Sequence, residues 1–144
     1  MYVLFRCRDY KDHLFFKCSV AKYIWGIVSC SFSLHKIPES FEDIPRWLES
    51  FHINDRLLIS VGVAALIWAI WKTRKKACFD GVFLQDPISI VFLMAHYISY
   101  WAGLQKQSLR GLQRKGAKMV VLVATEFFHR KQGWGPLVLR LGGP

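Results

Sequence analysis

Apolar residues recur every four positions from Phe16 through Val20, Ile24 and Val28, with Tyr23 and Ile27 beside them. That interval predicts one face of an α-helix, with Lys17 and Lys22 on its wetter side. The polar segment SFSLHKIPESFEDIPRW follows, and Pro38 and Pro45 interrupt regular structure within it. It reads as a connector over residues 36–53, carrying a short helix from about Ser40 and another after Pro45. From Asn54 or Asp55, either a suitable N-cap, the run RLLISVGVAALIWAIWKTRKKACFDG predicts a long helix stopped by Gly81. A second apolar helix is expected from Pro87, capped by Asp86, to about Gly103. The two should form an antiparallel hairpin over residues 54–104, with Trp68, Trp71, Phe92 and Tyr100 in one core. Residues 105–144 break at Gly111, Gly116, Gly133, Gly135 and Pro136 and read as a basic C-terminal tail, in which residues 119–128 fit helix or strand equally. The fold class expected is mostly α, a helical hairpin or small helical bundle.

Composition sharpens this picture in two ways. The 144 residues suffice for one modest core without obligatory disulfides or metal. At 53% hydrophobic and 15% aromatic the chain is apolar-heavy, so it folds, enters a bilayer or aggregates. The formal charge of +10 is uneven: about +3 over residues 1–35, about −3 over 36–55, about +3 over 56–103 and about +7 over 104–144. Such an excess favours a polyanionic partner, nucleic acid or an acidic lipid surface. Charged residues crowd the first thirteen positions, where a secretory signal needs an apolar stretch, so an intracellular, reducing location (nuclear or cytoplasmic) is expected. Cysteines there serve metal binding or packing more often than disulfides.

Catalysis is not expected. Metal-assisted phosphoryl transfer needs clustered carboxylates, whereas the ten acids are scattered or gathered in the connector, with no Asp-Asp pair. No G-x-S-x-G, P-loop or G-x-G-x-x-G occurs; GLQRKGAK lacks the spacing and the preceding strand.

The candidate metal chemistry lies at the start. Cys7, His13 and Cys18 stand as C-x5-H-x4-C, three residue types that bind zinc tetrahedrally when a fourth ligand joins them. The competing reading makes the two cysteines small packed residues and His13 their polar neighbour. The run CRDYKDHLFFKCSVAKYIW resembles the zinc-binding domain that follows the polymerase in plant non-LTR retrotransposon reverse transcriptases, with a C-x2-C pair, an acidic spacer, H-L-F-x-x-C and a trailing Trp. Asp9 stands near the acidic position; His13, Leu14, Phe15, Cys18 and Trp25 match the second half. Downstream, ALIWAIWKTRKKACFDG is similar to the same family's W-x-I-W-K-x-R-N-x-x-x-F through Trp68, Ile70, Trp71, Lys72, Arg74 and Phe79. The first cysteine of the pair falls on Leu4, and Lys75 replaces the family's Asn. The resemblance therefore implies a degenerate zinc-knuckle-like segment over residues 1–35 with an incomplete ligand set, open to completion by Cys30, His35 or water. It also implies a fragment of a larger element, whose reverse transcriptase or nuclease domain would be a natural partner.

Lys72, Arg74, Lys75 and Lys76, interleaved with Trp71 and Phe79, form the expected nucleic-acid site: cations for phosphates and rings for bases, with no sequence preference between RNA and DNA. The plain alternative is a helix C-terminus whose cations complement the macrodipole. The rival class is a membrane-associated protein, since residues 57–71 and 88–104 are uncharged runs of 15 and 17 residues, just short of a full span. A relic without selected activity is the remaining alternative.

Overall fold

The computed structural model describes residues 11–82 and 86–131. The chain enters through one wide turn, His13–Lys17, closed by the Cys18 N–H donating to the His13 carbonyl five residues back (2.8 Å). Helix α1, Ser19–Phe32, follows and buries Val20, Ile24, Ile27 and Val28, the face that the four-residue interval predicts. It ends at Ser33, whose left-handed backbone (φ 54°) turns the chain so that the Leu34 N–H reaches the Ser29 carbonyl. The connector holds a turn at residues 40–43, where a short helix was expected. The Ser40 hydroxyl accepts from the Asp43 N–H and competes with helical bonding there. Pro45 then opens α2, Ile44–Glu49, at a first-turn position that needs no N–H.

Helix α3 runs Ile53–Asp80, and α4 runs Ile88–Ala102. The cap of α3 is His52, not Asn54 or Asp55: its Nδ1 accepts from the Asn54 N–H at 3.3 Å. Its end is the expected one. Gly81 takes the left-handed conformation (φ 68°) that costs a side-chain-bearing residue dearly, and the N–H groups of Gly81 and Val82 both reach the Lys76 carbonyl. Asp86 caps α4 as expected, its Oδ1 accepting from the Ile88 N–H at 3.0 Å.

The two long helices pack as a hairpin, but the core between them differs from the expected one. The stripe of α3 turned inward is Gly62, Val63, Leu66, Ala69, Ile70, Thr73 and Ala77, mostly small residues that let α4 approach with Ile90, Val91, Met94 and Ile98. Trp68 and Trp71 each lie two positions beyond an inward residue, about half a turn round the helix, and remain 42% and 39% exposed. Tyr100 is 69% exposed; of the four aromatics expected inside, only Phe92 packs against the core, partly buried.

The segment read as a tail is largely a helix. α5, Gln107–Lys131, packs on α4 and α1 and buries Ala117, Val120 and Ala124, so VVLV is helical. Gly111 and Gly116 each weaken a helix by about 1 kcal/mol relative to Ala, which the packing offsets. At Gly116 a Cβ would stand 3.4 Å from the Phe32 ring, in ordinary contact, which places this part of α5 against the end of α1. Arg110, Arg114, Lys115 and Lys118 remain exposed on the outer side. No strand occurs among the described residues, and the architecture is a small helical bundle.

Burial separates the tryptophans energetically. Trp25→Ala, at a site with 0% exposure, should cost about 3–5 kcal/mol in urea unfolding, whereas Trp68→Ala should cost under about 1 kcal/mol. Equal losses at the two positions would contradict the packing described.

Candidate nucleic-acid interface

The outward face of α3 carries Leu57, Ala64, Trp68, Trp71, Lys75 and Phe79 in one exposed stripe. Trp68 and Trp71 stack on each other, ring centroids 5.1 Å apart and planes 23° from parallel. The Lys75 ammonium sits 5.3 Å from the Trp71 ring centre, one turn further on. Lys72 leans the other way, toward α4, with its ammonium 5.8 Å from the Tyr97 ring. Tyr97 in turn lies against Trp101 (5.7 Å) and His96 (5.5 Å), and His96 stacks over Tyr100 at 6.4 Å. Two neighbouring helices thus present rings and ammonium groups side by side, each cation–ring contact worth about 0.5–1 kcal/mol at such exposure.

Of the four cations singled out in the sequence, the structure places Lys72 and Lys75 beside the rings. Lys76 is exposed further round the last turns of α3, and Arg74 is half-buried. No salt bridge among the described residues neutralises Lys72, Lys75 or Lys76; an ion pair elsewhere, on α5, joins Arg130 to Glu126 at 3.7 Å. Sequence reasoning missed the contribution of α4. The four-residue spacings Tyr97–Trp101 and His96–Tyr100 were the available signal, since such pairs share a helix face.

The metal candidates are distributed differently. Cys7 lies outside the described residues. His13 is half-buried at the start of the wide turn, while Cys18 is buried at its end and acts as the N-cap of α1. Its Sγ accepts from the Ala21 N–H (3.3 Å) and its thiol is directed at the Leu14 carbonyl (3.6 Å). Among the described residues no three His, Cys, Asp or Glu side chains converge as a metal site, so neither Cys30 nor His35 joins His13 and Cys18 in one. Both are exposed.

The residues between and beyond these candidates build packing. Leu14, Phe15 and Phe16 are buried; Phe15 and Phe16 both meet Phe41 edge-on, and Phe16 stacks on Trp25. Trp25 donates its indole N–H to the Phe15 carbonyl at 2.9 Å and meets Trp47 edge-on, while Trp47 donates to the Lys36 carbonyl at 2.6 Å. Asp12 completes the clasp by accepting from the Phe41 N–H at 3.1 Å. Comparison with protein-family models, curated proteins and solved structures finds no match.

The capping geometry of Cys18 can be separated from metal ligation. Cys18→Ala should cost about 1 kcal/mol through the lost cap, and Cys18→Ser much less because a hydroxyl caps as well. Thermal melts with and without a chelator check this; a Ser variant as damaged as the Ala variant, and only in zinc, would assign the thiol to a metal.

Proposed function

We propose that the face shared by α3 and α4 binds single-stranded nucleic acid without sequence preference, as an accessory and non-catalytic surface. The observation that carries this reading is the exposed Trp68–Trp71 stack with the Lys75 ammonium over it and Lys72 beside it. Single strands are held where rings accept bases and cations follow the phosphates, and stacking tolerates any base because every base has a π-face. Arg74 and Lys76 extend the positive charge, and the overall +10 draws a polyanion in from solution. The resemblance to a retrotransposon zinc-binding domain supports the same class of partner. Zinc on Cys7, His13 and Cys18 belongs to this reading as an inherited structural ligand, and a reverse transcriptase or nuclease domain as the protein partner.

One observation favours a second reading. By length and composition α3 is able to cross a membrane, and only 33% of its most apolar window is buried within the bundle. The same tryptophans and lysines would then sit at a lipid–water interface.

Salt distinguishes the two. With single-stranded RNA or DNA, log affinity should fall against log salt by about 0.7 per phosphate neutralised, and Lys75→Ala with Lys76→Ala should flatten that slope by about 1.4. Trp68→Ala with Trp71→Ala should weaken binding by about 1–3 kcal/mol per stacked base and leave the slope unchanged. Binding to anionic liposomes that survives high salt, with no affinity for either nucleic acid, would replace this reading by the membrane one, since buried apolar area is not screened.

A further inference from the structure

On the opposite side of α3 from the tryptophan pair, a cleft of about 530 Å³ lies between α1, α2, the first half of α3 and α5, with Met94 and Ile98 of α4 contributing to its lining. Its walls are apolar, formed largely by Trp25, Phe32, Trp47 and Val63. That volume lies within the range of sites for small organic molecules, which pair apolar walls with very few polar groups. The ionisable side chains at its border, His35, Asp55 and Lys115, are exposed, and the acidic and basic ones oppose each other, so no strongly charged ligand is selected.

Two polar side chains in the lining are almost wholly enclosed, Ser31, whose hydroxyl donates to the Ile27 carbonyl at 2.9 Å, and Gln113. Gln113 is 3% exposed and donates its amide Nε2–H to the Ile98 carbonyl at 2.8 Å, which fixes which end of the amide is the acceptor. Its Oε1 has no hydrogen-bond partner among the described residues and is closed to solvent, so a donor in the cleft reaches it once the Gln113 side chain turns toward the opening. A buried acceptor without a donor is destabilising, and a small shift of occupant or side chain that supplies a donor removes that cost. Gly62, also in the lining, has only the Met94 methyl within 4 Å of where a Cβ would stand (3.9 Å), so there is room at the wall of α3.

We propose that this cleft is a binding site for a small, neutral, mostly apolar molecule carrying one hydrogen-bond donor, a phenol or alcohol, its body against Trp25, Phe32, Val63 and Met94 and its hydroxyl on Gln113 Oε1. This is independent of nucleic-acid binding, since it uses none of Trp68, Trp71, Lys72 or Lys75.

The test uses the full chain with two probes, 2-naphthol and 2-methoxynaphthalene, which share a ring system and differ in the donor. Binding is followed by calorimetry and by quenching of tryptophan emission, because Trp25 and Trp47 border the cleft. 2-Naphthol should bind about tenfold more tightly than the ether, the ratio expected for one hydrogen bond to a buried acceptor. Gln113→Leu should bring that ratio to about one while leaving ether affinity within about twofold. Gly62→Leu, which fills the wall without opposing helix formation, should weaken both probes by about tenfold or more. Circular dichroism and melting temperature show whether each variant is folded, and a misfolded Gln113→Leu leaves the wild-type ratio and the Gly62→Leu result to decide. Equal affinity of the two probes for the wild-type chain, absence of binding, or full binding by folded Gly62→Leu would overturn the proposal.

Discussion

The buried hydrogen bond from the Trp25 indole to the Phe15 carbonyl is the constraint around which the first half of the molecule is assembled. The Phe15 carbonyl lies in a wide turn whose Leu14, Phe15 and Phe16 are all buried, where a polar group left without a hydrogen bond is costly. Trp25 meets that need while filling the space with the largest side chain available. Its ring then sets the positions of Phe16 on one side and Trp47 on the other, so the wide turn, α1 and α2 become one unit. The connector, otherwise polar and proline-interrupted, is held to this unit at Lys36 and Phe41 by two further bonds to backbone atoms.

Against that anchored half, α3 is an edge helix with two different apolar faces. Small residues let α4 come close on one side, while aromatic and aliphatic residues occupy the other without a neighbour among the described residues. The near-absence of polar residues between Leu57 and Trp71 explains why the sequence betrayed a helix there but not its orientation. Amphipathic contrast is what tells inside from outside, and a run apolar all round supplies none. The expected core of large aromatics gives way here to alanine and glycine, which make the tighter helix contact.

Elsewhere the sequence was legible where local chemistry decides: the four-residue interval of α1, the glycine end of α3 and the aspartate cap of α4. It was less so where tertiary packing overrides a local signal. Two glycines and a dense set of cations disguised α5, and its buried Val120 stands among the equally apolar but exposed Met119, Val121 and Leu122, so hydropathy marks no face there. The lysines of the candidate interface were visible because charge in a helix's last turns is conspicuous; their ring partners on α4 were not, because only the packing of α3 against α4 brings Tyr97 to Lys72. The Cys-His spacing at the start was equally visible; the cap that Cys18 makes for α1 was not, because spacing does not encode that use of sulfur.

The uncovered stripe of α3 also governs how the molecule behaves in bulk. Copies carrying +10 each repel one another at long range, while Leu57, Trp68, Trp71 and Phe79 attract at contact. At about 0.01 M ionic strength the repulsion reaches roughly 30 Å and keeps the stripes apart; near 1 M it reaches about 3 Å, shorter than a side chain. Colloidal stability thus comes from charges placed mainly on other parts of the bundle, and ionic strength determines whether molecules of this chain meet as repelling spheres or as adhesive rods.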